Sequence, residues 1–372
     1  MRFSCLLSGL LLFNSNIFGQ TIRIQNNSGT PFQEKVIGIS WEMLKRNYPV
    51  IDSSNFKVIN IVTNKEIDYQ LEYKGLSCIQ NLLVQISINA NSKLDLKLIK
   101  GKHKLFVAKT YCRFVPERKD DFAWENDKIA FRAYGKALEN TKENAYGFDV
   151  WVKKNSSLVI NHRYKTNDYH VDHGNRLDYY HVGLSLGAGN MAPYINDTII
   201  YPHNYDNYVV FDNGPLRSTF KLYFKNFMVG GKMISSTKTI SLDAGDQLNK
   251  IQAIYESSAD STVELVAGII KREMPGVIYM KENNGILAYW EPQHNNDGIT
   301  GVATLMNSVP KKMWIIQQHF LTLTQTIDHK ITYYAGAAWN KAGRITSAQQ
   351  WIKYLEDFKN QLAIPLTVSF KN

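Results

Sequence analysis

Cysteine is scarce in this chain, three residues in 372, and the three are not equivalent. Cys5 lies inside an apolar run at the start, too early for a lipid-anchor cysteine. Cys78 and Cys112 could pair in an oxidising compartment, but the sequence does not give their distance. After that first run no apolar stretch is long enough for a membrane helix. There is no low-complexity tract and no internal repeat, and charged residues make up only 20% of the chain, which argues against bulk disorder. A Gly-rich phosphate loop, a GxSxG elbow and an HExxH zincin motif are all missing. Acidic residues are the minority charge: 33 Asp and Glu stand against 43 Lys and Arg, a net +10. These charges are spread along the chain rather than run together, which speaks against a nucleic-acid arm. A diffuse positive field suits an anionic small substrate.

The first twenty residues read as a signal peptide. Arg2 supplies the positive start, "CLLSGLLLF" the short apolar run, and "NIFGQ" a cleavage region. The expected product is exported, to the periplasm or beyond, with no membrane span. Period-two alternation dominates the rest of the chain. "TIRIQN", "FKVINIV", "NLLVQISINA" and "LDLKLI" predict a small β unit over residues 21–111. A longer β region over 112–372 carries "KIAFRAY", "GFDVWV", "STFKLYF", "KIQAIYE", "ILAYWE" and "KITYYAG" between short Gly- and Asn-rich turns. Many short strands at close intervals favour a large antiparallel β-sandwich over βαβ units, so the fold class is mainly β. One stretch reads as a helix. "TSAQQWIKYLEDFKNQLAIP" puts Trp351, Tyr354, Leu355 and Phe358 on one stripe, with Ser347 and Gln350 as a capping box and Pro365 as the stop.

The densest chemistry is "YHVDHGNRLDYYHV", residues 169–182. His170 and His173 have a spacing that leaves a divalent metal, zinc or calcium, open, with His181 or Asp178 as a further ligand. Gly174 makes the stretch turn-like, so acid–base work and a structural loop stay open beside the metal. Arg176 adds a guanidinium that can hold a carboxylate in two-pronged geometry. A second cluster, "CRFVPERKDDFAWENDKIAFRAYG", sets Arg118, Trp124, Glu125 and Asn126 together. Aromatic faces beside hydrogen-bonding groups are how sugar rings are gripped, since a sugar presents apolar C–H faces and a hydroxyl rim. Arg217 comes after the turn "DNGP". Trp290, Glu291 and His294 stand at a strand end in "YWEPQHNNDG", where loops carry function.

Taken in order, "RFVPERKDDFAWENDKIAFRAYG", "DYHVDHGNRLDYYHVGLSLGAG", "NGPLRSTF", "ISLDAGDQLNK", "YWEP" and "YYAGAAW" resemble one family. It is a family of exported Bacteroidota proteins long catalogued as a domain of unknown function. It occurs in carbohydrate-utilisation clusters and includes an oligosaccharide dehydratase of ulvan breakdown. The resemblance implies a galactose-mutarotase-like supersandwich for the main unit, with the active site in it, and an anionic oligosaccharide as substrate. The implied reaction removes the C5 proton and the C4 hydroxyl from a non-reducing-end uronate as water. It needs a cation for the carboxylate, a base for C5 and an acid for the departing hydroxyl. Arg176 is then the expected clamp, with Arg118 and Arg217 as competitors. His170 or His173 is the expected base, and Tyr179, Tyr180 or His181 the acid. A polysaccharide lyase would use the same base and clamp but expel a sugar. A non-catalytic carbohydrate-binding protein would use the aromatics alone. Oligomeric state is not readable.

Overall fold

A computed structural model describes residues 21–166, 176–257, 262–316 and 318–371; of Thr166, Arg176 and Leu177 it describes the backbone only. The signal-peptide reading of residues 1–20, and His170 and His173, fall outside the described residues.

The protein is mainly β and antiparallel throughout its named sheets, as the alternation predicts. The largest sheet has eight strands, running from Tyr205–Asn213 at one edge to Val277–Lys281 at the other. Two five-stranded sheets cover one of its faces. The first is built around Asp121–Asn126, Ile129–Ala133 and Asp149–Lys153; the second around Ala188–Ile195 and Glu264–Ile270. The main core lies between, where Trp124, Phe131, Phe148, Phe220, Ile251, Tyr255, Tyr289 and Phe320 are all buried. This is the large β-sandwich anticipated from the turn spacing.

The helix Ala348–Ala363 packs on the opposite face of the eight-stranded sheet. Ser347 accepts from the Gln350 N–H at 3.3 Å, and the Gln350 side chain returns the bond to the Thr346 N–H at 2.7 Å. The first bond satisfies a donor that a helix start would otherwise leave open, and the second ties the entering chain to the first turn. Trp351, Leu355 and Phe358 are buried against Ile286, Ala288 and Trp290. Their neighbours Leu287 and Tyr289 face the main core. The strand Ile286–Trp290 is therefore apolar on both faces, and reads as a run rather than an alternation.

The N-terminal unit has its own core of Ile22, Ile24, Trp41, Leu44, Phe56, Val58, Leu82, Val84 and Leu96. The strand Thr367–Lys371 joins it, pairing with Thr21–Gln25 so that Thr21 sits opposite Lys371. Cys78 is exposed and Cys112 buried, and neither is in a disulfide. Among the described residues no helix is long and apolar enough to cross a membrane.

Candidate active site

The loop after Arg176–Leu177 bridges the two five-stranded sheets. Arg176 and Leu177 pair with Lys153 and Val152 at the edge of the first sheet, and the chain then runs to Ala188–Ile195 in the second. At the crossing Gly187 has φ +57°, and a Cβ there would sit 2.4 Å from the Phe148 carbonyl oxygen, so only glycine fits. His319 Nε2 accepts from the Leu186 N–H at 3.2 Å and Ser185 Oγ donates to the Val182 carbonyl at 2.6 Å. These bonds set Asp178, Tyr179, Tyr180 and His181 on the rim of a cleft of about 530 Å³. A smaller hollow of about 250 Å³ shares Tyr179 and His181 and adds Arg272, Glu291 and His294.

Under the larger cleft lies a buried charge cluster. The first sheet puts Asp121, Arg132 and Asp149 on its outer face, with Arg132 directly opposite Asp149 in register. Arg132 pairs with Asp149, reaches Asp178 at 3.4 Å and Asp121 at 3.6 Å, and lies over the Trp151 ring at 5.4 Å. Arg118 adds a second cation to Asp121 at 3.4 Å. Three carboxylates share this small volume, so not all of them ionise easily. Burial, with the neighbouring Asp149 charge, pushes the Asp178 carboxyl up to about 8. Burial raises Asp121 to about 6 against the pull of Arg132. Asp178 is therefore held toward its protonated form beside an open cleft, an arrangement suited to proton donation.

On the rim, the Tyr179 hydroxyl is 2.6 Å from Thr300 Oγ1, and its ring stacks on His294 at 4.9 Å. Burial pushes its phenol well above the usual range, so it is a proton donor rather than a phenolate. Tyr180 is buried, and its hydroxyl has no hydrogen-bond partner among the described residues. Arg272 ties the site together. Its Nε donates to Glu291 at 2.7 Å, its Nη1 to the His181 carbonyl at 2.7 Å, and its guanidinium lies 4.5 Å from the centre of the Tyr180 ring. His294 Nδ1 lies 2.8 Å from Asp297 and is otherwise exposed.

The fold thus brings two sequence clusters, Tyr179–His181 and Glu291–His294, to one rim. The other expected contacts sit elsewhere, for clear reasons. Trp124 has no exposed surface; it packs between Phe131 and Phe220, and its indole N–H donates to Asn249 at 2.7 Å, so it does not grip a sugar. Glu125 is buried, paired with Lys153 at 2.7 Å, and accepts from the Val159 and Ile160 N–H groups at the start of the helix Ile160–Thr166. Asn126 clamps a turn, accepting from Lys128 and Ile129 and donating to the Asp243 and Asp246 carbonyls. Trp290 is buried under the C-terminal helix. Arg217 faces a separate cleft, where Asp243 holds it at 2.5 and 2.7 Å and Glu72 at 2.9 Å, so its guanidinium is already spent on protein carboxylates. Among the described residues no group of three or more His, Cys, Asp or Glu is arranged to hold a metal ion.

Sequence reasoning passed over Arg272, Thr300 and the Asp121–Arg132–Asp149 cluster. The cluster had a signal: "IAFRAY" and "GFDVWV" each carry one charge inside an apolar run, the mark of a buried pair. Arg272, in "KREMPG", had none.

Residues 24–368 match the family described as "Domain of unknown function (DUF4861)". A curated relative, "Uncharacterized protein P7" of Formosa agariphila, is 33% identical over 315 residues, 78% of each chain. Among solved structures, the chain is similar to one described as a protein in the Glycosyl Hydrolase Family 38 from Enterococcus faecalis. The TM-score is 0.50 at 10% identity, covering 95% of this chain and 47% of that one. An alpha-mannosidase from Enterococcus faecalis V583 has a TM-score of 0.47 at 8% identity, covering 95% and 46%. The chain spans about half the length of these solved structures. At 10% identity the first likeness shows the fold alone.

Proposed function

The chain belongs to the DUF4861 family, and from that premise we propose that it is an oligosaccharide dehydratase acting on an anionic glycan such as an ulvan fragment. It takes the C5 proton and the C4 hydroxyl from a non-reducing-end uronate and leaves a 4,5-unsaturated sugar. The observation that carries this reading is the shared rim, which offers a cation, a protonated phenol and an imidazole together: Arg272, Tyr179 and His181.

A base takes the C5 proton, and the electrons of that bond pass toward the carboxylate, which the guanidinium stabilises. The C4=C5 bond forms as the C4–O bond breaks, and the phenol proton of Tyr179 goes to the departing hydroxyl, which leaves as water. The base then returns its proton to the tyrosinate. His181 is the imidazole at the described rim; His170 and His173, a few residues earlier in the chain, are the further candidates for the base. Arg272 meets the carboxylate with the nitrogen not used on Glu291 and His181, and Arg176 is the alternative clamp. Each proton transfer contributes about 10²- to 10⁴-fold. The reading of residues 1–20 as a signal peptide puts this work in the periplasm or outside the cell.

The test uses oligosaccharides ending in a saturated uronate. Rising ultraviolet absorbance with loss of one water from the product mass supports the proposal. A product split at the glycosidic bond is the result of a lyase, and no change with any uronate-ended substrate removes the dehydratase reading. Tyr179→Phe should lower turnover by about 10²-fold or more while leaving the fold intact.

A further inference from the structure

A second cleft, of about 490 Å³, opens on the outer face of the eight-stranded sheet, where the N-terminal unit and the C-terminal helix flank it. Its residues take no part in the elimination at the Tyr179 rim. Its floor is a ladder of short polar side chains. Thr219 stands opposite Ser241, and Ser241 opposite Lys250, across three strands. In the next row Thr239 stands opposite Gln252. Opposite side chains on such a face are about 4.5–5.5 Å apart, close to the length of one pyranose residue. The Thr219 and Ser241 hydroxyls are 3.0 Å apart. Lys250 and Gln252 are exposed on this floor, and neither has a partner among the described residues.

The walls are fixed rather than adaptable. Arg217 is held by Asp243 and Glu72, and Lys35 pairs with Asp246 at 2.7 Å. The Tyr334 ring, locked edge-on against Phe358 at 5.2 Å, and Phe211 supply aromatic surface. Four cations line the cleft, Lys35, Lys74, Arg217 and Lys250, against three carboxylates, Glu72, Asp243 and Asp246. The balance is positive, and the cation without a partner sits on the floor. A rigid cleft with hydroxyl and amide side chains in rows, aromatic edges and a free lysine matches one ligand class: hydroxyl-rich rings bearing negative charge.

We infer that the cleft between the N-terminal unit and the eight-stranded sheet is a second, non-catalytic binding site for an anionic polysaccharide chain. It holds the polymer while the rim at Tyr179 acts on an end. The site does not depend on which reaction occurs at that rim.

The test is affinity electrophoresis of the full chain through gels holding ulvan, polygalacturonate or neutral dextran. Wild type should be retarded by at least one acidic polymer and not by dextran. The double variant Lys250→Ala/Gln252→Ala should need at least about fivefold more polymer for the same retardation, a change of roughly 1 kcal/mol. Thr239→Trp, which fills the cleft from a half-exposed strand position, should do the same. Tyr179→Phe should be retarded like wild type. Turnover of a disaccharide, too short to span both clefts, should be unchanged in the cleft variants. Equal migration of wild type and both cleft variants overturns the inference, as does loss of retardation in Tyr179→Phe. If the polymer binds as expected but no uronate is dehydrated, the second site stands and the proposed reaction falls.

Discussion

Arg272→Ala tests the organisation of the rim most directly, because one side chain holds three partners. The substitution removes the 2.7 Å pair with Glu291, the 2.7 Å bond to the His181 carbonyl and the guanidinium over Tyr180 at 4.5 Å. Glu291 is only 6% exposed, so it is left as an uncompensated buried carboxylate. Breaking a buried pair from one side costs about 3–5 kcal/mol. The Arg272 side chain keeps 20% exposure, so the low end applies, about 3 kcal/mol, with about 1 kcal/mol more from the ring contact. Burial already raises the Glu291 carboxyl above its ordinary range, and Arg272 opposes that rise. A carboxyl raised in the folded state stabilises the fold when protonated, and that contribution is lost as pH climbs from its unfolded value, about 4.3, through the folded one. Removing Arg272 lifts the folded value further. The loss of stability should therefore be small near about pH 4 and grow as pH rises toward the alkaline side. Urea unfolding followed by tryptophan fluorescence across that range measures it, for wild type, Arg272→Ala and Arg272→Ala/Glu291→Gln. The double variant should regain most of the stability, because no buried charge remains. It should not regain turnover, because the proposed clamp is gone. A loss of equal size at every pH, or a double variant no more stable than the single, would refute the reasoning.

Three further outcomes are expected. Asp178→Asn should stabilise the protein above about pH 8 and change little near about pH 4, because the raised carboxyl loses its contribution as pH rises through about 8; parallel thermal melts at the two pH values check this. Lys153→Met should cost about 3 kcal/mol in chemical denaturation, since it strands the buried Glu125 carboxylate that anchors the helix Ile160–Thr166. Trp351→Ala should cost about 3–5 kcal/mol and Ser347→Ala about 1 kcal/mol, and circular dichroism should show the first loosening the C-terminal helix and the second only fraying its start.

Element types were legible because period-two alternation and a 3.6-residue stripe are local properties. "TIRIQN" and "TSAQQWIKYLEDF" each show their kind without reference to the rest of the chain. Partners were not legible. Nothing in "TIRIQN" says that its neighbour is "TVSFK", hundreds of residues later. The same gap explains the site. Tyr179, His181, Glu291 and His294 stood out as clusters of reactive side chains, and the fold put them on one rim. Trp124 and Asn126 looked like sugar contacts because the sequence shows the residue types but not the face each presents. In the strand Asp121–Asn126 one face meets the main core and the other the helix Ile160–Thr166, so no member is open to solvent. Arg272 was invisible because its role arises only where three distant segments converge.

The pairing of Thr21–Gln25 with Thr367–Lys371 has a bearing on synthesis. The first strand leaves the ribosome early and its outer neighbour late. In the interval one edge of the small sheet presents bare N–H and C=O groups, a template for any passing strand. The small unit's sheet is thus finished only after the large sandwich has been made, although it comes first in the chain. The interval before that last strand emerges is when a holding chaperone would matter most.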